Sequence, residues 1–439
     1  MPSRSSILFV NQNYYPEVVS AGQRLTSLAE FLASEGFDVH VVCGRGGYGG
    51  ESSEAPLRET HNGVHIRRFR TPSFGRAKTI GRLADYLAFF LQALLHVLTR
   101  TKPDMLVTLT TPPLVNLLGT TVRSLRGVPY GIWAMDLHPE SEKALGMLEE
   151  GSPLTRLLDT ANDASFREAD FVVALGTYMK KRIVQKGVAP ENVAVIPVWA
   201  MNEERVDDTE NPLLSDLGLD DKFVVLYAGN AGLFHEFDGI CESMRLLKDH
   251  PDIFFLFVGD GPRREKIESF VHSHDIDNFR YHDYVPHEQL KNVLSLADVH
   301  LLSLRPDIAG LAVPSKLYDS MTSAQPVLMY GPQASEPAET IAEGAFGFIV
   351  DPEQCTSATD AGQKLASHLL DLYEDSDKAS TYGRRALETY RDTFGDHRVF
   401  EAWSMLLEKR IAQIQTSDRG SSETTPQDVA SEAGFETST

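Results

Sequence analysis

The sequence predicts an α/β protein built from two doubly wound parallel-sheet domains. Short apolar, strand-like runs alternate with helical patterns through most of the chain. The alternation stops once, at the acidic stretch 197–221 with Asn211, Pro212 and Gly218, and then restarts. A chain of 439 residues is also too long for one ordinary core.

Taken in order, residues 7–10 form a buried strand and 21–34 an amphipathic helix. Strands follow at 39–42 and 64–68, then a long helix over 83–99 and a strand at 105–109. Residues 130–134, 171–174 and 193–196 complete the first set, with helices between them. After the break, strands are expected at 224–227, 254–258, 279–281, 299–302, 327–329 and 348–350. Helices between consecutive strands imply parallel pairing, with both sheet faces covered. The expected division is 1–200, a linker at 201–221, a second domain at 222–394 and a helix over 395–414 that packs back on the first. Residues 415–439 are rich in Ser, Thr and Glu and are expected to be a disordered tail.

Composition narrows the function. A net charge of −21 argues against a general nucleic-acid binder. Cys43, Cys241 and Cys355 lie far apart, form no metal-type spacing and suit a reducing cytoplasm. The first residues show no signal-peptide apolar region, and no run reaches the ~18–20 apolar residues of a membrane span, so a cytoplasmic location is expected. A dinucleotide fingerprint, GxGxxG, is absent after the first strand, which disfavours NAD chemistry.

Four stretches can carry chemistry. In GLAVPSKLYDSMTSAQPV (310–327), Pro314 precedes a short helix whose start holds Ser315 and Lys316, with Asp319 one turn on. Free N–H groups, a hydroxyl and an ammonium at a helix start suit a diphosphate, and a carboxylate one turn away suits ribose hydroxyls. A capped surface helix with solvated Lys and Asp explains the same residues. The second half opens with YAGNAGLFHEF, where Gly229, Asn230, Gly232 and His235 follow a strand and form either a phosphate-wrapping turn or a plain helix entry. In the first half, Asp136 and His138 sit at a strand's carboxyl end, as acid/base groups or as a helix cap and a surface imidazole. Finally, Arg67, Arg68, Arg70, Arg76, Lys78 and Arg82, with Phe69 and Phe74, lead into the apolar helix over 83–98. That is either an interfacial membrane signature or a solvated loop before a core helix. Gly22, at the first helix, and Val285, after the 279–281 strand, are further positions where backbone can approach a ligand.

Together, YYPEVVSAGQR, MDLHPE, LYAGNAGLFHEFDG, FFLFVGDGPRREKIE and GLAVPSKLYDSMTSAQPV, in this order, resemble the retaining family 4 glycosyltransferases of GT-B fold. The likeness is strongest to bacterial exopolysaccharide enzymes of the colanic-acid type. It implies two Rossmann-like domains facing a cleft, the first holding an acceptor and the second a nucleotide-sugar donor. It implies transfer with retention, no metal and no cofactor. Donor contacts would fall on Gly22, Gly229, Asn230, Gly232, His235, Val285, Gly310, Leu311, Ser315, Lys316 and Asp319. Asp136, His138 and Lys316 would be catalytic. The chain departs from the family pattern in three respects: Leu311 replaces the first glutamate of the paired acidic motif, with Asp307 the nearest acid. Asn230 and His235 occupy the region of the usual Arg and Lys, and Met135 stands where many members have His. The expected function is transfer of a sugar from a nucleoside-diphosphate sugar to a glycan or lipid-linked glycan, at an anionic membrane surface if the basic stretch is interfacial. A nucleotide-sugar 2-epimerase of the same fold and a non-catalytic assembly partner are the rivals.

Overall fold

The computed structural model describes residues 4–17, 19–45, 55–70, 79–100, 102–201 and 211–423. Two sheets organise it. The first contains β1 (Ser6–Val10), β2 (Asp38–Gly44), β3 (Arg58–His61), β4 (Val64–Phe69), β5 (Met105–Thr108), β6 (Tyr130–Ala134), β7 (Phe171–Ala174) and β8 (Val193–Val195). Their spatial order is β3-β4-β2-β1-β5-β6-β7-β8, parallel except where β3 meets β4. The second contains β9 (Phe223–Ala228), β10 (Ile253–Val258), β11 (Phe279–His282), β12 (Val299–Ser303), β13 (Val327–Tyr330) and β14 (Gly347–Val350). All are parallel, in the order β11-β10-β9-β12-β13-β14.

Burial explains why the strands read as apolar runs. β5, β6, β7, β12 and β13 are buried at every position, because helices cover both faces. The chain order reverses between β1 and β5, and again between β9 and β12. In open α/β sheets such reversals leave crevices at the strands' carboxyl ends, where ligands bind.

Three expectations need correction. β3 was not expected: its RETH sequence alternates exposed and half-buried residues on a sheet edge, so it lacks an apolar run. The stretch 201–221 is not all irregular. Pro212–Leu217 is a short helix, capped by the Asn211 side chain and stopped by Gly218 in the left-handed region at φ 66°. Its leucines and Leu219 pack beside Val224, Leu226 and Leu256 of the second half. The last helix does not end near residue 414 but runs from Asp396 to Glu423. Packing anchors its first turns, after which each added residue gains a helical hydrogen bond at little cost. The remaining expected tail, 424–439, lies outside the described residues.

The halves share one core. Leu304, Ile308, Leu311, Leu317 and Tyr318 of the second half belong to the same apolar cluster as the first sheet. The final helix joins this cluster from the other end of the chain. Trp403 meets Trp133 edge-on at 4.8 Å, while Phe400 meets Trp199 at 4.7 Å and Phe31 at 5.0 Å.

Candidate active site

The candidate residues lie where the carboxyl ends of both sheets face each other. The loop after β6 touches the loop after β12: the Leu137 N–H donates to the Leu311 carbonyl at 2.8 Å, and Asp136 bridges to Ala312. This contact sets Asp136 and His138 next to the segment that leads into Lys316. Thr110, from the end of β5, braces the loop by accepting the N–H groups of Met135 and Asp136 at 3.2 and 3.1 Å.

On the second-sheet side, Lys316 opens the helix Lys316–Thr322. Its Nζ donates to the Asn230 carbonyl at 2.9 Å and to the Tyr227 hydroxyl. Gly229 makes this approach possible, since a Cβ there would stand 2.8 Å from Lys316 Cε, and its φ of 118° is unfavourable for other residues. Gly259 and Gly261, at φ 141° and 140°, let the turn after β10 press against the backbone of Gly229 and Ala231. GDGP is therefore a brace for the Gly229–Gly232 loop. Among the described residues no carboxylate pairs with Lys316. Burial pushes its ammonium well below the ordinary lysine value.

His235 lies beside this ammonium. Its Nδ1 sits 2.6 Å from the Ser303 carbonyl, so Nδ1 carries the proton and Nε2 is left as an acceptor. Burial first, then the Lys316 charge, push it down to about 3, so the ring is neutral near pH 7. Ser315 precedes the helix without capping it through its side chain, and Gly232 lies against the Asn230 amide.

In the first half, His138 Nδ1 lies 2.7 Å from a Glu142 carboxylate oxygen. Burial opposes the ring's charge, but Glu142, with help from Asp136 and Glu140, outweighs it and raises the imidazole above its ordinary value. Burial also raises the Asp136 carboxyl. An imidazole made more basic beside Glu142 and a carboxylate made more basic are suited to holding and deprotonating a hydroxyl.

The structure places other expected residues differently. Asp319 Oδ1 accepts the Met201 N–H at 2.7 Å, and its charge faces Arg24, which is 1% exposed. Asp319 thus ties the crossover between the halves. Leu311 is 4% exposed and belongs to the shared core. Gly310, at φ 75°, abuts the Tyr178 carbonyl of the first half. Gly22 packs against Asn13, and Val285 joins the apolar cluster beside β9 and β10. Sequence reasoning passed over Arg24, Tyr227 and Thr110, whose partners are distant in the chain. It also passed over Glu142, although its spacing of four from His138 on a helical stretch was a readable signal.

A second contact closes the halves on each other. Glu336, at the start of Glu336–Gly344, accepts the N–H groups of Thr177 and Tyr178 at the start of Thr177–Gln185, the latter at 2.9 Å. A Cβ on Gly176 would overlap the Glu336 carboxyl carbon at 1.9 Å.

Two parallel-sheet α/β domains meeting across such a cleft define the GT-B class. Solved structures agree on the fold. Sucrose-phosphate synthase from Thermosynechococcus elongatus superposes with a TM-score of 0.72 at 17% identity, over 93% of this chain and 100% of that one. HepE from Anabaena, solved in complex with UDP-glucose, gives 0.66 at 16% identity, over 92% and 99%. The Glycosyl transferase 4-like domain model matches residues 21–199 and the Glycosyl transferases group 1 model residues 214–386. The chain belongs to the family 4 glycosyltransferases. Curated relatives include the putative colanic acid biosynthesis glycosyl transferase WcaI of Escherichia coli K12, 26% identical over 71% of this chain and 79% of that protein. The probable glycosyltransferase WbjE of Pseudomonas aeruginosa is 25% identical over 65% and 72%.

Proposed function

We propose that this glycosyltransferase takes its sugar from a nucleoside diphosphate and passes it, with retention, to a glycan or lipid-linked glycan in cell-surface polysaccharide synthesis. One observation carries the reading: among the described residues Lys316 Nζ has no carboxylate partner, and it is set on a glycine-lined loop at the cleft. A diphosphate supplies the missing charge, and its negative charge grows as the sugar departs, so stabilisation there accelerates transfer. His138, held against Glu142, orients the acceptor hydroxyl, and Asp136 accepts the hydroxyl's proton. The reaction needs no metal or cofactor. The UDP-glucose held by HepE and the colanic acid pathway in the name of WcaI support the donor and the product class. The reading places the enzyme in the cytoplasm, with an anionic membrane surface as a partner.

The test is nucleotide release from a panel of UDP-, GDP- and ADP-sugars, with and without glycan acceptors. Acceptor-dependent release with a glycosylated product is expected. Release that ignores the acceptor and leaves an epimerised sugar overturns the reading in favour of the 2-epimerase. No turnover and no nucleotide binding overturns it altogether.

A further inference from the structure

The helix Thr79–Thr99 crosses from β4 to β5 and covers the first sheet. Phe89, Ala93 and Val97 form its inner face, with none more than 1% exposed. A covering helix ordinarily turns polar residues to water on its other side. Here that side carries Leu83, Leu87, Leu91 and Leu95, which are 60, 59, 54 and 64% exposed. A spacing of four stacks them in one row, roughly 18 Å long at ~1.5 Å per residue. Leu125, on the neighbouring helix Leu117–Arg126, is exposed as well. A single exposed leucine needs no explanation, but a continuous row does.

The charge around this row is equally unusual. Arg58 and Arg67 are direct cross-strand partners between β3 and β4, an arrangement that is repulsive for like charges. Arg100, just beyond the helix, acts on Arg67 too, and all three arginines bear on His96 inside the same helix. Arg58, Arg70 and Arg100 are exposed, and none of the four arginines has an ion pair among the described residues. Four such cations in a chain of net charge −21 mark a local site for anions.

We propose that the leucine row, flanked by Arg58, Arg67, Arg70 and Arg100, docks this protein on an anionic lipid bilayer. This rests on the reading above of a membrane partner and replaces the residues that the sequence nominated for it. Arg68 is withdrawn: it is 2% exposed, paired with Glu59, and donates to the carbonyls of Tyr15 and Pro56. Phe69 is buried as well. Arg76, Lys78, Phe74 and the Arg82 side chain lie outside the described residues. Apolar side chains at an interface beside cations are what anionic lipid attracts. A second copy of the chain fits worse, because a two-fold contact through this face sets one arginine cluster beside the other. The helix follows the carboxyl end of β4, so it begins at the end of the sheet where the cleft opens. A docked bilayer would present a lipid-linked acceptor at that rim.

Flotation of the full chain with phosphatidylglycerol/phosphatidylcholine vesicles, against phosphatidylcholine alone, tests the surface. Binding is expected only to the anionic vesicles and is expected to weaken as salt shortens the screening length. Arg58→Gln with Arg100→Gln should lower the partition coefficient about fivefold per charge. Leu87→Gln with Leu91→Gln should lower it about tenfold or more, with an unchanged melt because both sites face water. Turnover with a water-soluble acceptor is measured alongside. A parent protein that turns over sugar but never floats overturns the docking and leaves the functional reading intact. A parent that floats but turns over no donor does the reverse. A dimer in sedimentation velocity that the leucine variants dissociate, without flotation, gives the row to a second copy and overturns the proposal.

Discussion

Replacing Asp319 by alanine separates two roles that one carboxylate can play. If Asp319 only awaits ribose hydroxyls, the ligand-free protein should not notice its loss. The structure says otherwise. Asp319 accepts the Met201 N–H at 2.7 Å, and it is the largest charge opposing the effect of burial on the Arg24 guanidinium. Losing this charge-assisted hydrogen bond costs about 1.5–3 kcal/mol. Arg24 keeps the Trp199 carbonyl at 2.9 Å and the Ser20 hydroxyl, which argues for the lower end. At 2–4 °C per kcal/mol for a domain of this size, Asp319→Ala should melt roughly 3–6 °C below the parent. Asp319→Asn keeps an acceptor for Met201 but loses the charge, so it should fall between them. The assay is calorimetric melting of ligand-free protein at neutral pH, followed by titration with the donor. A ribose contact adds a binding loss of about 1.5–3 kcal/mol on top. If Asp319→Ala melts within about 1 °C of the parent, the structural role of its bond to Met201 is refuted.

Gly176→Ala should pry the halves apart, because the new methyl overlaps Glu336, and scattering should report a larger radius of gyration. Adding Glu336→Ala relieves the clash, so the two changes should couple by about 0.5–3 kcal/mol instead of adding. The His138–Glu142 pair predicts a pH signature. Because the folded imidazole is raised above 6.5, its contribution is complete below that pH and fades as pH climbs through the raised value. Glu142, lowered below 4.5, contributes above that pH and loses its share as pH falls through the depressed value. Glu142→Gln should flatten both limbs in melts from pH 3 to 9, an order-of-magnitude window around the ordinary values; an unchanged profile would contradict the pairing. Binding a nucleoside diphosphate should raise the depressed Lys316 value and draw a proton from buffer. Calorimetry between about pH 7 and 9 in buffers of different ionisation enthalpy should show the uptake, and Lys316→Met should abolish it.

Strands were legible where two covering helix layers demand unbroken apolar runs, as in FVVA of β7 and VLMY of β13. β3 escaped because an edge strand needs no such run. Its signal was Asn62-Gly63, both at positive φ, the turn chemistry of a tight hairpin to β4. Lys316, Gly229 and Asn230 come together as neighbours, since strand-end loops of one sheet converge at the switch point. Asp319, Leu311 and Arg68 could not be placed from spacing. Their partners Arg24, Leu137 and Tyr15 are supplied by the other half or by a distant turn, and only the folded chain decides which of two polar neighbours a buried group takes. The exposed leucine row was hidden for the opposite reason: by composition alone, a helix apolar on two sides looks like one that is merely well buried.

The return of the final helix to Trp133 and Trp199 constrains how evolution or an engineer can recombine this protein. A fragment cut near residue 200 keeps its sheet but strands an aromatic patch built to receive Phe400 and Trp403. Grafting another family member's donor half therefore has two seams, not one: the incoming segment should end before Asp396, so that Asp396–Glu423 travels with the host's first sheet. Chimeras joined only near residue 210 inherit a foreign tryptophan lid, and their failures to fold would say nothing about donor choice.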